Sequence, residues 1–468
     1  MAHVLLEDSH AALQRRGRHE KARTAESGPR AMSSAATVWI AAVIVAEIVA
    51  IAVFGSITIA RYPLWSVIDE GAHYDNVIYV AAHGSYPVLG KSLASPEELA
   101  IGQGRYPRPT TINPKTDGVS GLDYEAFQPP LYYYLAAPVS LLSSNYHTKA
   151  ILLRSFGLVL LMVAIGLFAR LSRLVLKDHW LLGLAGGLLV FLMPGVLVRM
   201  VTISDINLAV PLAVLIVTEL WIAWERQSHR RLLLCGFLVG CGVLTDLYLT
   251  EMVPVYVCVA GAIIWRNRAK IGIAYAALGG VIGVLVALPW LAFNEVKYHA
   301  LTASALAKRE QLALINPEHL RFTIGQLPGL TVIRFFQPLM PQEWFVRSAF
   351  YAYVILLFEV LLLPAAIVLA ITLGKRFFSS GLWIFVLPIV CNIGLAYYID
   401  LGQQWQAGSM VPRFIYPTLP FIALFVVAAY LRLASSIRPL VVTLTVSGLF
   451  LGALWVHLVP TIHHTPSA

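Results

Sequence analysis

"ATVWIAAVIVAEIVAIAVFGSITIARYPLWSVIDEGAHY", from Ala36 to Tyr74, joins a predominantly apolar run ending at Ala60 to a short stretch that carries Asp69, Glu70 and His73, with Asp75 next. A helix needs roughly 20 such residues to cross about 30 Å of hydrocarbon. Backbone groups inside lipid must be satisfied within their own segment, so the run reads as a spanning helix. The titratable groups then stand just beyond its end, at the membrane boundary, where an acid is expensive to keep and is usually retained for a task.

The same pattern recurs along the chain. With 468 residues, 58% hydrophobic and 13% charged, and a mean hydropathy of +0.73, the protein carries too much apolar surface for a soluble fold of this length. About eleven spanning runs are expected, at 36–60, 151–172, 180–198, 206–224, 232–248, 251–265, 271–293, 348–373, 381–399, 415–431 and 439–459. The expected fold is therefore an all-α polytopic membrane bundle.

Charge sets the expected orientation. Alternate connections hold Arg170, Arg173 and Lys177; Arg226, Arg230 and Arg231; Arg266, Arg268 and Lys270; Lys375 and Arg376; Arg432 and Arg438. The positive-inside rule places these connections, and the N-terminus, in the cytoplasm. Asp69, Glu70, Glu125, Asp205, Asp246 and Glu251 then lie on the outer side. The net charge of +9 is accounted for by topology and anionic headgroups, so membrane lipid is a partner and nucleic acid is not. The four cysteines lie in apolar runs and imply neither a disulfide framework nor a metal cluster.

Residues 1–35 read as a disordered cytoplasmic tail, 36–460 as the membrane domain and 461–468 as an external tail. Two connections are long, 61–150 and 294–347, and too aromatic to be disordered. In the first, Ala72–His83 reads as a helix whose Tyr74, Val77, Ile78 and Ala81 share a face suited to the membrane surface. Ser95, Pro96 and Glu98 mark the start of another helix. Tyr132, Tyr133 and Tyr134 suit the headgroup belt.

Asp69 and His73, four apart, share a helix face one turn apart. Such a pair supplies a general base with a steering partner, or two ligands to a divalent ion; a solvated helix start is the plain structural alternative. Glu125 and Gln128, in "YEAFQPPLYYYL", are placed relative to the bilayer by Pro129 and Pro130. Glu47 and Glu359 lie inside apolar runs, and for Asp246 and Glu251 ordinary loop solvation is favoured.

Asp-Glu followed by His73 and Tyr74 beyond the first span, then Glu125 before the second, resembles the polyprenyl-phosphate-sugar-dependent glycosyltransferases of the GT-C fold. The bacterial branch in question is glycosyltransferase family 39, or dolichyl-phosphate-mannose-protein mannosyltransferase-like. "PRFIYPTLPFIAL" (Pro412–Leu424) is similar to a late segment of that group, and "VRMVTISDINLAV" and "LPWLAFNEVKYHALT" are similar with lower specificity. The resemblance implies a large first extracytoplasmic loop bearing interfacial helices and a sugar transfer, inverting at the sugar, from a polyprenyl-phosphate donor to an acceptor hydroxyl.

It further implies Asp69 as the catalytic carboxylate with Glu70 beside it. His73, Glu125, Gln128 and Asp205 would line the substrate site, and Arg413 would face the lipid phosphate. Ser204 stands where the branch has Asn before Asp205, and Asp246 where it has a basic residue. No cofactor and no resident metal are implied; a divalent ion on Asp69 and His73 stays open. Two other classes fit the composition: a secondary transporter or flippase, using Glu47, Glu359 and Asp246, and a polysaccharide polymerase. The missing inverted repeat and the acid-rich first loop argue for the transferase.

Overall fold

A computed structural model describes residues 33–65, 69–88, 126–267, 270–302, 380–402, 415–433, 440–449, 451, 452 and 456. Among these the regular structure is helical, without a strand. In chain order the helices are α1 (Ser34–Arg61), α2 (Glu70–His83), α3 (Leu131–Ser140), α4 (Tyr146–Leu176), α5 (Trp180–Leu192), α6 (Pro194–Val201), α7 (Ile206–Glu225), α8 (Arg231–Val243), α9 (Met252–Asn267), α10 (Lys270–Tyr298), α11 (Trp383–Gly402) and α12 (Leu419–Leu433), then α13 (Leu440–Leu449). The expected run at 348–373 and the helix start at Ser95 lie outside the described residues.

Five helical stretches among the described residues are long and apolar enough to cross a membrane. The first shows how sequence makes the bundle. Ser33 caps α1 by accepting the Ala36 amide at 3.3 Å, and Ile40, Ile44, Glu47, Ile51, Gly55 and Thr58 form its buried stripe. Those residues recur every three or four positions, the period of one helix face. Val38, Val45, Val49 and Val53, on the other face, are exposed apolar groups, as lipid contact requires. The 18-residue apolar window of α7 is 89% buried within the protein, against 28% for α1 and 17% for the last long span. So α7 is the axis, packed on α4 and α8, while α1 and α10 form the rim.

Several elements differ from the sequence expectation. The run at 180–198 is two helices, because Pro194 has no amide to donate and turns Met193 into extended backbone, ψ 128°. The run at 232–248 ends at Val243, and a turn with a single 3-10 segment, Leu247–Glu251, leads into α9. Asp246 caps that turn, accepting the Tyr248 amide at 2.9 Å. Asp246 and Glu251 are both buried, so loop solvation does not describe them. α2 starts at Glu70 and is enclosed rather than laid on a surface: Tyr74 and Val77 are fully buried in a cluster with Tyr132, Tyr133, Leu153 and Ile203. Of the three tyrosines expected at headgroup height only Tyr134 is exposed; Tyr132 and Tyr133 belong to the core.

α8 and α10 meet backbone to backbone. A Cβ on Gly236 would fall on the backbone of Gly279, and one on Gly240 would lie 2.5 Å from the Gly283 carbonyl oxygen. Both helices repeat glycine at every fourth position there, which lets helix backbones approach closely in lipid. At the end of the bundle away from α2, Glu219 of α7 is buried and paired with Arg170 of α4 at 3.0 Å and with Arg231 of α8. Two of the basic residues that mark the expected cytoplasmic side thus tie three helices together.

We predict that Gly240→Val lowers the unfolding free energy in detergent by about 1–3 kcal/mol through overpacking. Gly280→Ala, where a Cβ meets nothing within 4 Å, should leave the midpoint of a thermal-unfolding scan in place.

Candidate active site

The acidic stretch after α1 is organised by Arg154, about two turns into α4. Its Nε and Nη2 donate to the two Glu70 carboxylate oxygens, each at 2.7 Å. Nη1 donates to the Tyr62 carbonyl at 2.7 Å and Nη2 also to the Pro63 carbonyl at 3.2 Å. Glu70 further accepts the Trp65 amide at 3.2 Å and the Ile203 amide at 3.3 Å. Arg154 and Glu70 are 1% and 0% exposed. A buried ion pair holds only when both charges are matched and the remaining lone pairs and protons are satisfied, and here four separate stretches of chain supply the partners.

Asp69 is the residue this clamp positions. It sits at the N-cap of α2 with φ 70° and ψ −2°, in left-handed backbone, and its side chain makes no capping bond to the helix. For a residue other than glycine such backbone costs about 1–3 kcal/mol and persists where surrounding contacts over-determine it. The neighbour of Asp69 in the chain, Glu70, is fixed by the pair with Arg154. Asp69 is half-buried, and its carbonyl accepts the His73 amide at 2.9 Å.

His73 is buried one turn into α2. Its Nδ1 lies 2.6 Å from the Tyr133 hydroxyl of α3, and its Nε2 lies 3.7 Å from an Asp205 carboxylate oxygen at the start of α7. The imidazole thus lies between the Tyr133 hydroxyl and the Asp205 carboxylate. Asp205 also accepts from the Ser204 hydroxyl at 3.2 Å. The Gln128 carbonyl accepts a hydrogen bond from the Tyr86 hydroxyl, and the Tyr86 ring lies 6.2 Å from that of Tyr133. The structure therefore brings Asp69, Glu70, His73, Gln128 and Asp205 to one end of the bundle. Glu125 and Arg413 lie outside the described residues.

A second polar group lies at the same end. The Thr418 hydroxyl donates to Asn392 Oδ1 at 3.3 Å, both residues being fully buried, and Glu251 is 4% exposed. Among the described residues no group of three or more His, Cys, Asp or Glu is close enough to hold a metal ion.

Arg154, Tyr133 and Tyr132 were not among the sequence candidates. Arg154 had a legible signal, a charge inside the apolar stretch that opens the second span; the tyrosines had none beyond their aromatic character. The Tyr132 phenol is pushed well above its ordinary range, first by burial and then by the Asp205 charge. The unfolded phenol loses its proton above about pH 10 while the folded one keeps it, so this group's contribution is complete below that pH and declines as pH rises. Tyr132→Phe should flatten the fall of the unfolding midpoint between about pH 10 and 12, read by thermal scans across that range. Arg154→Leu should cost about 3–5 kcal/mol by stranding a buried carboxylate, and Arg154→Leu with Glu70→Leu should recover much of it, in chemical denaturation.

No family profile matches the chain, and no curated protein does. Solved structures do resemble it. ArnT from Cupriavidus metallidurans bound to undecaprenyl phosphate is similar at TM-score 0.48 and 13% identity, over 85% of this chain and 61% of that one. The same protein in the apo state gives 0.48 and 16%, over 86% and 61%. The Archaeoglobus fulgidus oligosaccharyltransferase, in complex with zinc and sulfate, gives 0.47 and 12%, over 88% and 53%. The chain thus spans somewhat more than half the length of these proteins.

Proposed function

We propose that the chain is a membrane glycosyltransferase that moves a sugar from a polyprenyl-phosphate donor to an acceptor hydroxyl, with Asp69 as general base. The observation that carries this reading is the Glu70–Arg154 clamp, which holds Asp69 half-buried in left-handed backbone at the end of the bundle shared with His73 and Asp205. Strained backbone under a carboxylate, over-determined by a buried pair, is what a pre-organised catalytic group requires. The sequence resemblance to GT-C enzymes rests on the same Asp69-Glu70 pair.

In this reaction the acceptor hydroxyl gives its proton to the Asp69 carboxylate as its oxygen bonds to the sugar's C1. The bond from C1 to the phosphate oxygen breaks, and its electron pair departs with polyprenyl phosphate, inverting C1. Glu70, with both oxygens already accepting, is a positioning residue for Asp69. His73 and Asp205 form a polar wall beside it, Gln128 and Glu125 take sugar or acceptor hydroxyls, and Arg413 meets the lipid phosphate. The catalytic unit is 36–460, with the first loop (61–150) and the second (294–347) on its working side. The Asp69 end faces away from the cytoplasm, because the lysine- and arginine-rich connections stand at the other end.

Purified protein incubated with polyprenyl-phosphate hexose or pentose should release polyprenyl phosphate. Asp69→Asn should lower that release by about 10²- to 10⁴-fold with the fold intact by thermal scan; unchanged turnover would remove Asp69 as the base. Glu47 favours a second reading, a proton-coupled transporter: it is 3% exposed in α1 and both its carboxyl oxygens are without a hydrogen-bond partner. Under the transferase reading Glu47→Gln leaves sugar transfer intact, whereas a carrier would lose proton-driven uptake into proteoliposomes.

A further inference from the structure

At the opposite end of the bundle from Asp69 lies a cavity of about 440 Å³ between the ends of α4, α7, α9 and α12 and the start of α11. Its size is that of a small-ligand site, which spans about 300–1,000 Å³. Its buried wall is apolar, including Leu382, Ala428 and Leu431. Two polar groups are buried in that wall. His179 and Trp221 both line the cavity, are 7% and 6% exposed, and have Nδ1 and Nε1 respectively without a hydrogen-bond partner. A buried polar nitrogen left unpaired is costly unless something arrives to meet it.

The mouth is charged. Lys177, Arg266 and Glu225 line it and all three are exposed, which leaves one positive charge in surplus. Arg266 is seated over the Trp224 ring, 5.5 Å from its centroid, a cation–π contact that holds the guanidinium beside the opening. Close packing keeps the wall in shape: Gly381 has φ 75°, and a Cβ there would lie 2.6 Å from Trp224 Nε1.

We propose that this cavity is a binding site for a phosphate-bearing amphiphile, its anionic head between Lys177 and Arg266 and its apolar chain along Leu382, Ala428 and Leu431. One surplus positive charge matches a phosphodiester monoanion, and Trp221 Nε1 is a donor for a phosphate oxygen. The Glu225 carboxylate accepts from a hydroxyl on the head. Phosphatidylglycerol has this chemistry, and so, without the chains, does the soluble phosphodiester glycerophosphoglycerol. The site lies about 30 Å from Asp69, the length of a 20-residue helix, and is independent of the transferase reading.

The test is native mass spectrometry of the full-length protein in detergent with phosphatidylglycerol or phosphatidylcholine added. Wild type should retain one phosphatidylglycerol at least ten-fold more strongly than phosphatidylcholine. Lys177→Gln with Arg266→Gln should lose about ten-fold or more in that retention, whereas Arg226→Gln, at the same end but outside the cavity, should change nothing. Displacement by millimolar glycerophosphoglycerol would assign the site to soluble phosphodiesters, and no displacement to the lipid. Equal retention of phosphatidylcholine, or undiminished retention by the double variant, overturns the proposal.

Discussion

The Arg154–Glu70 pair is the contact on which the organised end of this protein depends. Its partners come from α1, α2, α4 and the turn before α7, so it does for four stretches of chain what a single hydrophobic contact could not. A guanidinium offers five donors in a fixed plane, and in this structure they reach two carboxylate oxygens and the carbonyls of Tyr62 and Pro63. The pair also explains how a strained Asp69 persists. In a low-dielectric interior, breaking the clamp would strand a charge, which costs more than the left-handed backbone of its neighbour.

Charge is distributed in two layers with different tasks. At the Asp69 end two buried acids face side chains from other helices, Glu70 with Arg154 and Asp205 with His73, which also meets Tyr133. At the far end the charges are largely exposed, and one buried acid, Glu219, gathers two arginines. Between the layers the helices meet through apolar stripes and, where α8 crosses α10, through bare backbone. The two ends are thus chemically distinct, and the helices between them meet largely through apolar side chains.

Much of the candidate site was visible in the sequence as residue types beside an apolar run: Asp69, Glu70 and His73 together, and Asp205 before a later run. Their division of labour was not. The resemblance treated Asp69 and Glu70 as an acidic pair, whereas Glu70 is occupied by a partner that follows it by 84 positions. The glycine repeats at Gly236, Gly240, Gly279 and Gly283 were legible in principle, yet nothing in one helix says which other helix it will meet.

By itself, then, the amino-acid order determined the helical class and the approximate limits of many of the described helices. These follow from local quantities: apolar length against hydrocarbon thickness, helix period, caps, and proline's missing amide. The partner of each buried charge, the break of one expected span into α5 and α6 within a packed bundle, the enclosure of α2 and of Tyr132 and Tyr133, and the cavity at the far end were decided by tertiary structure. Each depends on groups far apart in the chain being brought within a few ångströms, and only the packing of whole helices specifies which groups those are.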